Sequence, residues 1–249
     1  MRGRLAAYAG YQLRDFLLGR AATIVLVTAL AVWAYAFAHA LTPAILVSPD
    51  IDAPDKLQRA FEFALAVFAI AGAAVAAHGL VSRHRARGYD RMMFSRPLSP
   101  ARYYLQGLAL AGIGTLLLAT VGAGVYGVVA RPVSSLGVAA YVALAWVAVG
   151  GLAFLLSAAT AAHVPVLVAL LAADLTLDRY ATGLRAAGNG NVALDAMQYL
   201  LPPGHVVVAL AEPFARGSVI DSRAVWPLGF GLACLAVAVI LLRRRPFRT

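Results

Sequence analysis

Apolar stretches without a single charge recur along this chain, and its charged residues cluster between them. A helix crossing the roughly 30 Å hydrocarbon layer of a bilayer needs about 20 predominantly apolar residues, so each stretch predicts a span. The first is AATIVLVTALAVWAYAFAHALTPAILV at 21–47, whose useful part ends near Pro43. The second is FALAVFAIAGAAVAAHGLVS at 63–82, and the third is YYLQGLALAGIGTLLLATVGAGVYGVVA at 103–130, closed by Arg131 and Pro132.

The uncharged run from Pro132 to Ala173 is double length and must hold two helices with a short turn between them. The small polar residues and the helix breaker of SAATAAHVP place that turn around Ser157 to Pro165. The last run is AVWPLGFGLACLAVAVILL at 224–242. Six transmembrane helices are expected, at about 22–43, 62–82, 103–130, 134–156, 164–177 and 224–242. The fifth is short, begins at a proline and meets Asp174 and Asp178 at its end.

Two segments outside the spans also show a pattern. In MRGRLAAYAGYQLRDFLLGR, residues 1–20, Leu13, Phe16 and Leu17 share one helical face, which fits a helix lying in the interface before the first span. A removable signal peptide fits less well, because Gln12, Arg14, Asp15 and Arg20 interrupt the approach and no small-x-small cleavage site follows. Residues 178–223 are too polar for another ordinary span, yet QYLLPPGHVVVALAEPF has an apolar centre split by Pro202, Pro203 and Gly204, with His205 next. A re-entrant or surface-lying pair of half helices is expected there, since such irregular backbone survives in a membrane protein only when covered by protein or facing water.

Composition agrees with the pattern. The 249 residues are 62% hydrophobic and 13% charged, where soluble domains carry about a quarter charged residues. The mean hydropathy is +0.80. The fold class is therefore an all-α integral membrane protein forming one transmembrane domain over 1–249. Cys234 is the only cysteine, so no disulfide forms within the chain.

Charge fixes the expected orientation. The N-terminal segment, the 83–102 loop and the C-terminal tail hold 14 arginines against Asp15 and Asp90, whereas the remaining loops hold 7 basic residues against 9 acids. An even number of spans puts both termini on one side, and the positive-inside rule makes that side the cytoplasm. The formal charge of +10 is then mainly a topology signal, with some attraction to anionic lipid headgroups. Nucleic acid is excluded as a partner, because the arginines divide among three loops and no recognition fold accompanies them.

Residues 83–102 form the only substantial cytoplasmic loop of this map. Tyr89, Met92 and Met93 follow helical spacing, Arg87 and Arg91 lie one turn apart on another face, and Pro97 and Pro100 end the helix. Tyrosine, methionine and arginine are good contact residues for a protein partner. A plain positive-inside loop with its apolar side chains on lipid fits the same periodicity.

The segment RARGYDRMMFSRPLSPARYYLQGLALAG resembles the stretch after the second span of ABC-2 type transporter permeases. In that family a glycine, a short apolar helix with an acid and a Ser/Thr-x-Pro exit lead into the third span. The resemblance implies that Arg87, Gly88, Tyr89, Asp90, Arg91, Met92, Met93, Phe94 and Pro97 form the coupling helix that rests on a cytoplasmic ATPase. It extends to the interfacial N-terminal helix, the six spans, the broken outer segment YLLPPGHVVVAL and the basic tail LLRRRPF. Departures are Gly88-Tyr89 for the common Gly-Thr, Pro100 for a frequent arginine, and no acid before the glycine.

No Walker A sequence occurs and the single lysine, Lys56, lies on the outer side, so ATP and Mg²⁺ are expected on a partner ATPase and no cofactor in this chain. The implied complex pairs the chain with a second permease subunit, the same or related, in a bacterial cytoplasmic membrane, and exports a hydrophobic or lipid-like substrate. A non-transporting scaffold or sensor docked to an ATPase is the alternative. An intramembrane enzyme is less favoured, because the chain has no HExxH, no paired lipid-phosphotransferase aspartates and no nucleophile with a matching base.

Among polar residues in or beside spans, His39, His78 and His163 assemble no zinc spacing, and helix–helix contacts are their commoner role. His78 is the most central and the candidate to face a path. Asp174 and Asp178, one turn apart, read as an anchoring polar edge or, more sharply, as a cation or substrate contact.

Overall fold

The computed structural model describes residues 10–11, 13–14, 16–41, 53–77, 80–81, 99–129 and 132–244. A single π-helical turn, Phe16–Arg20, leads without a break into α1 (Ala21–Leu41). Then follow α2 (Ala53–Ala77), α3 (Pro100–Val129), α4 (Ser135–Ala159) and α5 (His163–Ala186). After α5 come the short helices α6 (Val192–Leu200), α7 (Gly204–Ala209) and α8 (Ala211–Ala215), and then α9 (Val225–Arg244). The described chain is all-helical, and five of its helical stretches, within Phe16–Ala34, Gln58–Ala77, Pro100–Val128, Ser135–Ala159 and Ser222–Arg244, are long and apolar enough to cross a membrane. This is a multi-span helical membrane protein.

The remaining expected span, 164–177, lies within α5, which runs past it at both ends. Helix α5 is 24 residues, about 36 Å long at 1.5 Å per residue, and it continues through Asp174, Asp178, Arg179 and Arg185. Its length suffices to cross, but its charge keeps it out of the strongly apolar set. The turn before it is only Thr160–Ala162, within the expected Ser157 to Pro165, and Pro165 sits in the first turn of α5, where no backbone donor is lost. Helix α2 likewise starts nine residues before the expected 62, because Lys56, Arg59 and Glu62 extend it beyond its apolar run.

Buried side chains sort the helices into two ends. One cluster joins Ala77 at the end of α2 and Val81 beyond it, Ala101 and Tyr104 of α3, Phe154 and Ala158 of α4, Leu167 of α5 and Leu242 of α9. The other joins Leu65 of α2, Ala123 of α3, Tyr141 of α4, Val207 and Phe214 of α7 and α8, and Ala224 before α9. Successive long helices from α2 to α5 therefore run in alternating directions. The described charged residues at the first end are all arginine: Arg14, Arg20, Arg102, Arg243 and Arg244. The second end mixes acids and arginines. The bundle thus has a basic end and a mixed end.

Local contacts fix the start of the bundle. Phe16 is buried against Gly114 of α3, where a β-carbon would lie 2.5 Å from the Phe16 ring, while Leu17 and Leu18 face outward. Arg20 donates a 2.5 Å hydrogen bond to the Ala76 carbonyl at the C-terminal end of α2, the end whose carbonyls favour a cation. Residues 1–9, 12 and 15 of the predicted interfacial helix lie outside the described residues.

Helix α4 is the centre of the packing. It contains a π-helical turn at Trp146–Gly150, and the Trp146 indole lies where a β-carbon on Gly112 of α3 would be, 2.8 Å from Nε1. A wider turn of this kind inserts one residue and shifts the faces presented on either side of it. Below it, Gly151 and Gly231 bring the backbones of α4 and α9 into direct contact.

Candidate functional site

The polar residues of α5 meet the broken segment 192–215 at the mixed end. Gly188, at φ +76°, takes the left-handed conformation that lets the chain reverse after α5. Asn191 then caps α6, its Oδ1 accepting from the Ala193 N–H at 2.9 Å. The reversal lays α6 along α5, so that Arg185 pairs with Asp195 at 3.2 Å and also donates to Gln198 Oε1 at 3.3 Å. Gln198 in turn donates from Nε2 to Asp178 Oδ1 at 3.1 Å. Arg185, Gln198 and Asp178 thus form one chain of contacts from helix to helix.

Helix α6 stops at Leu200, and Pro202 and Pro203 form the bend that follows. Neither proline can supply a backbone donor, and both are buried. The Gly204 N–H turns back to the Pro202 carbonyl at 2.7 Å, and α7 begins. A β-carbon on Gly204 would lie 3.0 Å from Asp174 Oδ2 and 3.1 Å from Leu171 Cδ2. Glycine lets the first turn of α7 close on the carboxylate.

Asp174 is completely buried, and a buried carboxylate is costly unless it is paired and hydrogen-bonded. His205 meets both needs. Its backbone N–H donates to Asp174 Oδ2 at 2.6 Å, and its ring Nδ1 lies 2.8 Å from Asp174 Oδ1. With an ionised carboxylate, which only accepts, the contact to Oδ1 takes its proton from Nδ1. The other ring nitrogen, Nε2, is then the atom that gains or loses the proton. The side chain of His205 is 20% exposed, so the ring is not sealed off.

The hydrogen bond to Asp174 raises the His205 pKa above its ordinary 6.5. Partial burial opposes this, while the charges of Asp174 and Asp178 add to it and Arg185 detracts. The arrangement is a carboxylate–imidazole dyad with an orienting acid on one helix and a proton-binding ring on another.

The half-helix pair is held on its far side by α4. Tyr141 donates from its hydroxyl to the Val207 carbonyl at 3.0 Å in a fully buried contact. The α8 backbone at Phe214 lies against Gly137, where a β-carbon would overlap the Phe214 carbonyl. Residues Val207, Leu210, Ala211, Phe214 and Ala215 are buried, so the pair is inserted into the mixed end rather than laid over it. Nearby, Arg216 pairs with Glu212 at 2.9 Å and approaches Glu62 of α2 at 3.7 Å. A cavity of about 460 Å³ opens beside Arg216, Arg59, Gln58 and Ser134.

Of the residues singled out in the sequence, Asp174, Asp178, Pro202, Pro203, Gly204 and His205 come together here. His78 and the coupling segment, Arg87, Gly88, Tyr89, Asp90, Arg91, Met92, Met93, Phe94 and Pro97, lie outside the described residues. His163 is buried at the start of α5, its Nδ1 3.1 Å from the Ala161 carbonyl, at the opposite end from the dyad. Sequence reasoning missed Tyr141, Arg185 and Gln198. Gln198 carried a signal in retrospect, as a polar residue on a helix ending at a proline pair. Among the described residues, no three His, Cys, Asp or Glu side chains gather into a metal-binding group. No protein-family model, curated protein or solved structure matches the chain.

Proposed function

We propose that this chain is the membrane-spanning permease subunit of an ATP-binding cassette transporter of the ABC-2 type, exporting a hydrophobic or lipid-like substrate. The observation that carries the reading is the segment between α2 and α3, HRARGYDRMMFSRPLSPARYY, which joins two long helices at the end where the described charges are all arginine. On this reading the basic end faces the cytoplasm and α5 completes a six-helix crossing. Gly88 to Phe94 docks a separate ATPase that binds ATP and Mg²⁺, and Pro97 and Pro100 stiffen the joint to α3.

Two further features support it. The inserted half-helix pair α7–α8 lies where the resemblance leads a broken outer segment to be expected, and its irregular backbone is covered by protein. The mostly apolar helices offer no ring of charge for a small ion, which favours an apolar cargo. One chain of this size encloses no large path, so two permease chains, identical or related, form it by two-fold closure in a bacterial cytoplasmic membrane.

The test is purification of the chain from its native membrane followed by reconstitution in vesicles. An ATPase subunit is expected to copurify, to be lost when Tyr89, Met92 and Met93 are replaced by Ser, and to drive ATP-dependent flux of a lipid-like substrate. Recovery without an ATPase, together with unchanged function in the triple variant, would overturn the proposal. An ATPase retained without flux would instead make the chain a docked scaffold.

A further inference from the structure

The Asp174–His205 dyad is a buried titratable site that export, as proposed above, does not use. It stands between two bodies. On one side is α5, anchored at the basic end through Leu167. On the other is the α7–α8 pair, which is bound to α4 through Tyr141 and Gly137. Both hydrogen bonds to the Asp174 carboxylate come from His205, and Gly204 lets the two elements close to within contact.

We propose that His205 is a proton-operated latch that clamps the α7–α8 pair to α5 when its imidazole is protonated and loosens that clamp when it is neutral. The protonated ring adds a full positive charge to the hydrogen bond with a completely buried carboxylate, whereas the neutral ring leaves only the two hydrogen bonds. The ring is 20% exposed while the carboxylate is fully buried.

Among the charges on elements packed against α7, Asp174 and Asp178 of α5 favour the proton and Arg185 of the same helix opposes it. On α6, Asp195 is paired with Arg185. On α8, Glu212 is paired with Arg216, and Arg179 of α5 and Arg59 of α2 are exposed. Glu62 of α2 faces Arg216, and Arg223 in the turn before α9 is paired with Asp221. Helix α9 brings its own charges, Arg243 and Arg244, only at the basic end.

The sign follows from the docked state raising the imidazole's affinity for a proton. The clamp is strongest below the ordinary histidine value of 6.5 and weakens as pH rises through the higher docked value. A latch on the outer side of the membrane would respond to external acidity.

The test uses the full chain with isotope-labelled histidine, in lipid nanodiscs. His205 is expected to titrate above 6.5, and the backbone amides of 204–210 are expected to lose hydrogen-exchange protection several-fold, after correction for intrinsic rates, as pH passes that point. In Asp174→Asn the titration moves down and the pH dependence of protection disappears. Wild-type titration at or below the ordinary value, or protection independent of pH, would overturn the latch without touching the transport proposal. The wild-type measurements decide the matter even if the variant does not fold.

Discussion

Gly151 of α4 and Gly231 of α9 cross with their backbones in contact. A β-carbon on Gly151 would lie 2.5 Å from the Gly231 carbonyl oxygen, and one on Gly231 would overlap the Val147 carbonyl beside the π-helical turn. Small residues at a crossing let two helices approach to a distance that any side chain would prevent. The obstacle here is backbone on a packed helix, which cannot swing aside as the tip of a long side chain can.

Gly231→Ala is therefore expected to destabilise the bundle by about 1–3 kcal/mol, the usual cost of overpacking. Gly229→Ala, two residues away, meets nothing within 4 Å, and is expected to be neutral or stabilising by about 0.5–1 kcal/mol through helix propensity. Unfolding midpoints of both variants in detergent check the contrast in sign.

Asp174→Ala removes the acceptor of both His205 donors and leaves a cavity at the mixed end. Breaking a buried pair of this kind costs about 3–5 kcal/mol when one charge is left without its partner; partial exposure of His205 puts the expected loss near the lower bound. Thermal unfolding of the variant measures it. Below pH 6 the loss is expected to be greatest, because the imidazole is then charged and has lost its carboxylate.

Tyr141→Phe keeps the ring against Phe214, 6.1 Å away between centroids, and deletes only the hydroxyl that bonds the Val207 carbonyl. A loss of about 1 kcal/mol is expected, the net value of one hydrogen bond. Faster hydrogen exchange in 204–215 than in α4 would show that the loss is local to the half-helix pair.

Much of the bundle was legible as uncharged runs, for physical reasons that also explain where the reading stopped. Apolar length marks a crossing, so α3, α4 and α9 follow their runs closely, and Pro165 with the small residues before it marks the tight turn at 160–162. Uncharged runs mark where a helix can cross and not where it ends, and α2 and α5 both continue past their runs through charged residues. Glu62 is met by Gln58, at 3.0 Å, and by Arg216, and Asp174 is met by His205 from a segment 31 residues further on. A satisfied charge does not stop a helix, and sequence spacing alone does not show which charges are satisfied. The proline pair announced a broken segment and left open whether it is re-entrant or surface-lying, because its insertion depends on Gly137, Tyr141 and Gly204 making room and contact. The π-helical turn at Trp146 carries no proline or polar residue to signal it.

Orientation is tested with single cysteines introduced into a Cys234→Ser background. A membrane-impermeant thiol reagent added to intact cells is expected to label a cysteine at Asp195 or Ser218 and to spare one at Arg244. Labelling of Arg244→Cys from outside, with Asp195→Cys protected, would invert the assignment of the two ends.

The proposed docking of a nucleotide-hydrolysing partner on the segment between α2 and α3 is open to direct capture. A photo-crosslinking residue at position 92, activated in native membranes, measures this most directly. A covalent adduct with an ATP-binding cassette ATPase is expected at position 92 and is expected to be absent from a control crosslinker at Val219. Adducts with lipid alone at position 92, in cells where the chain is functional, would contradict it.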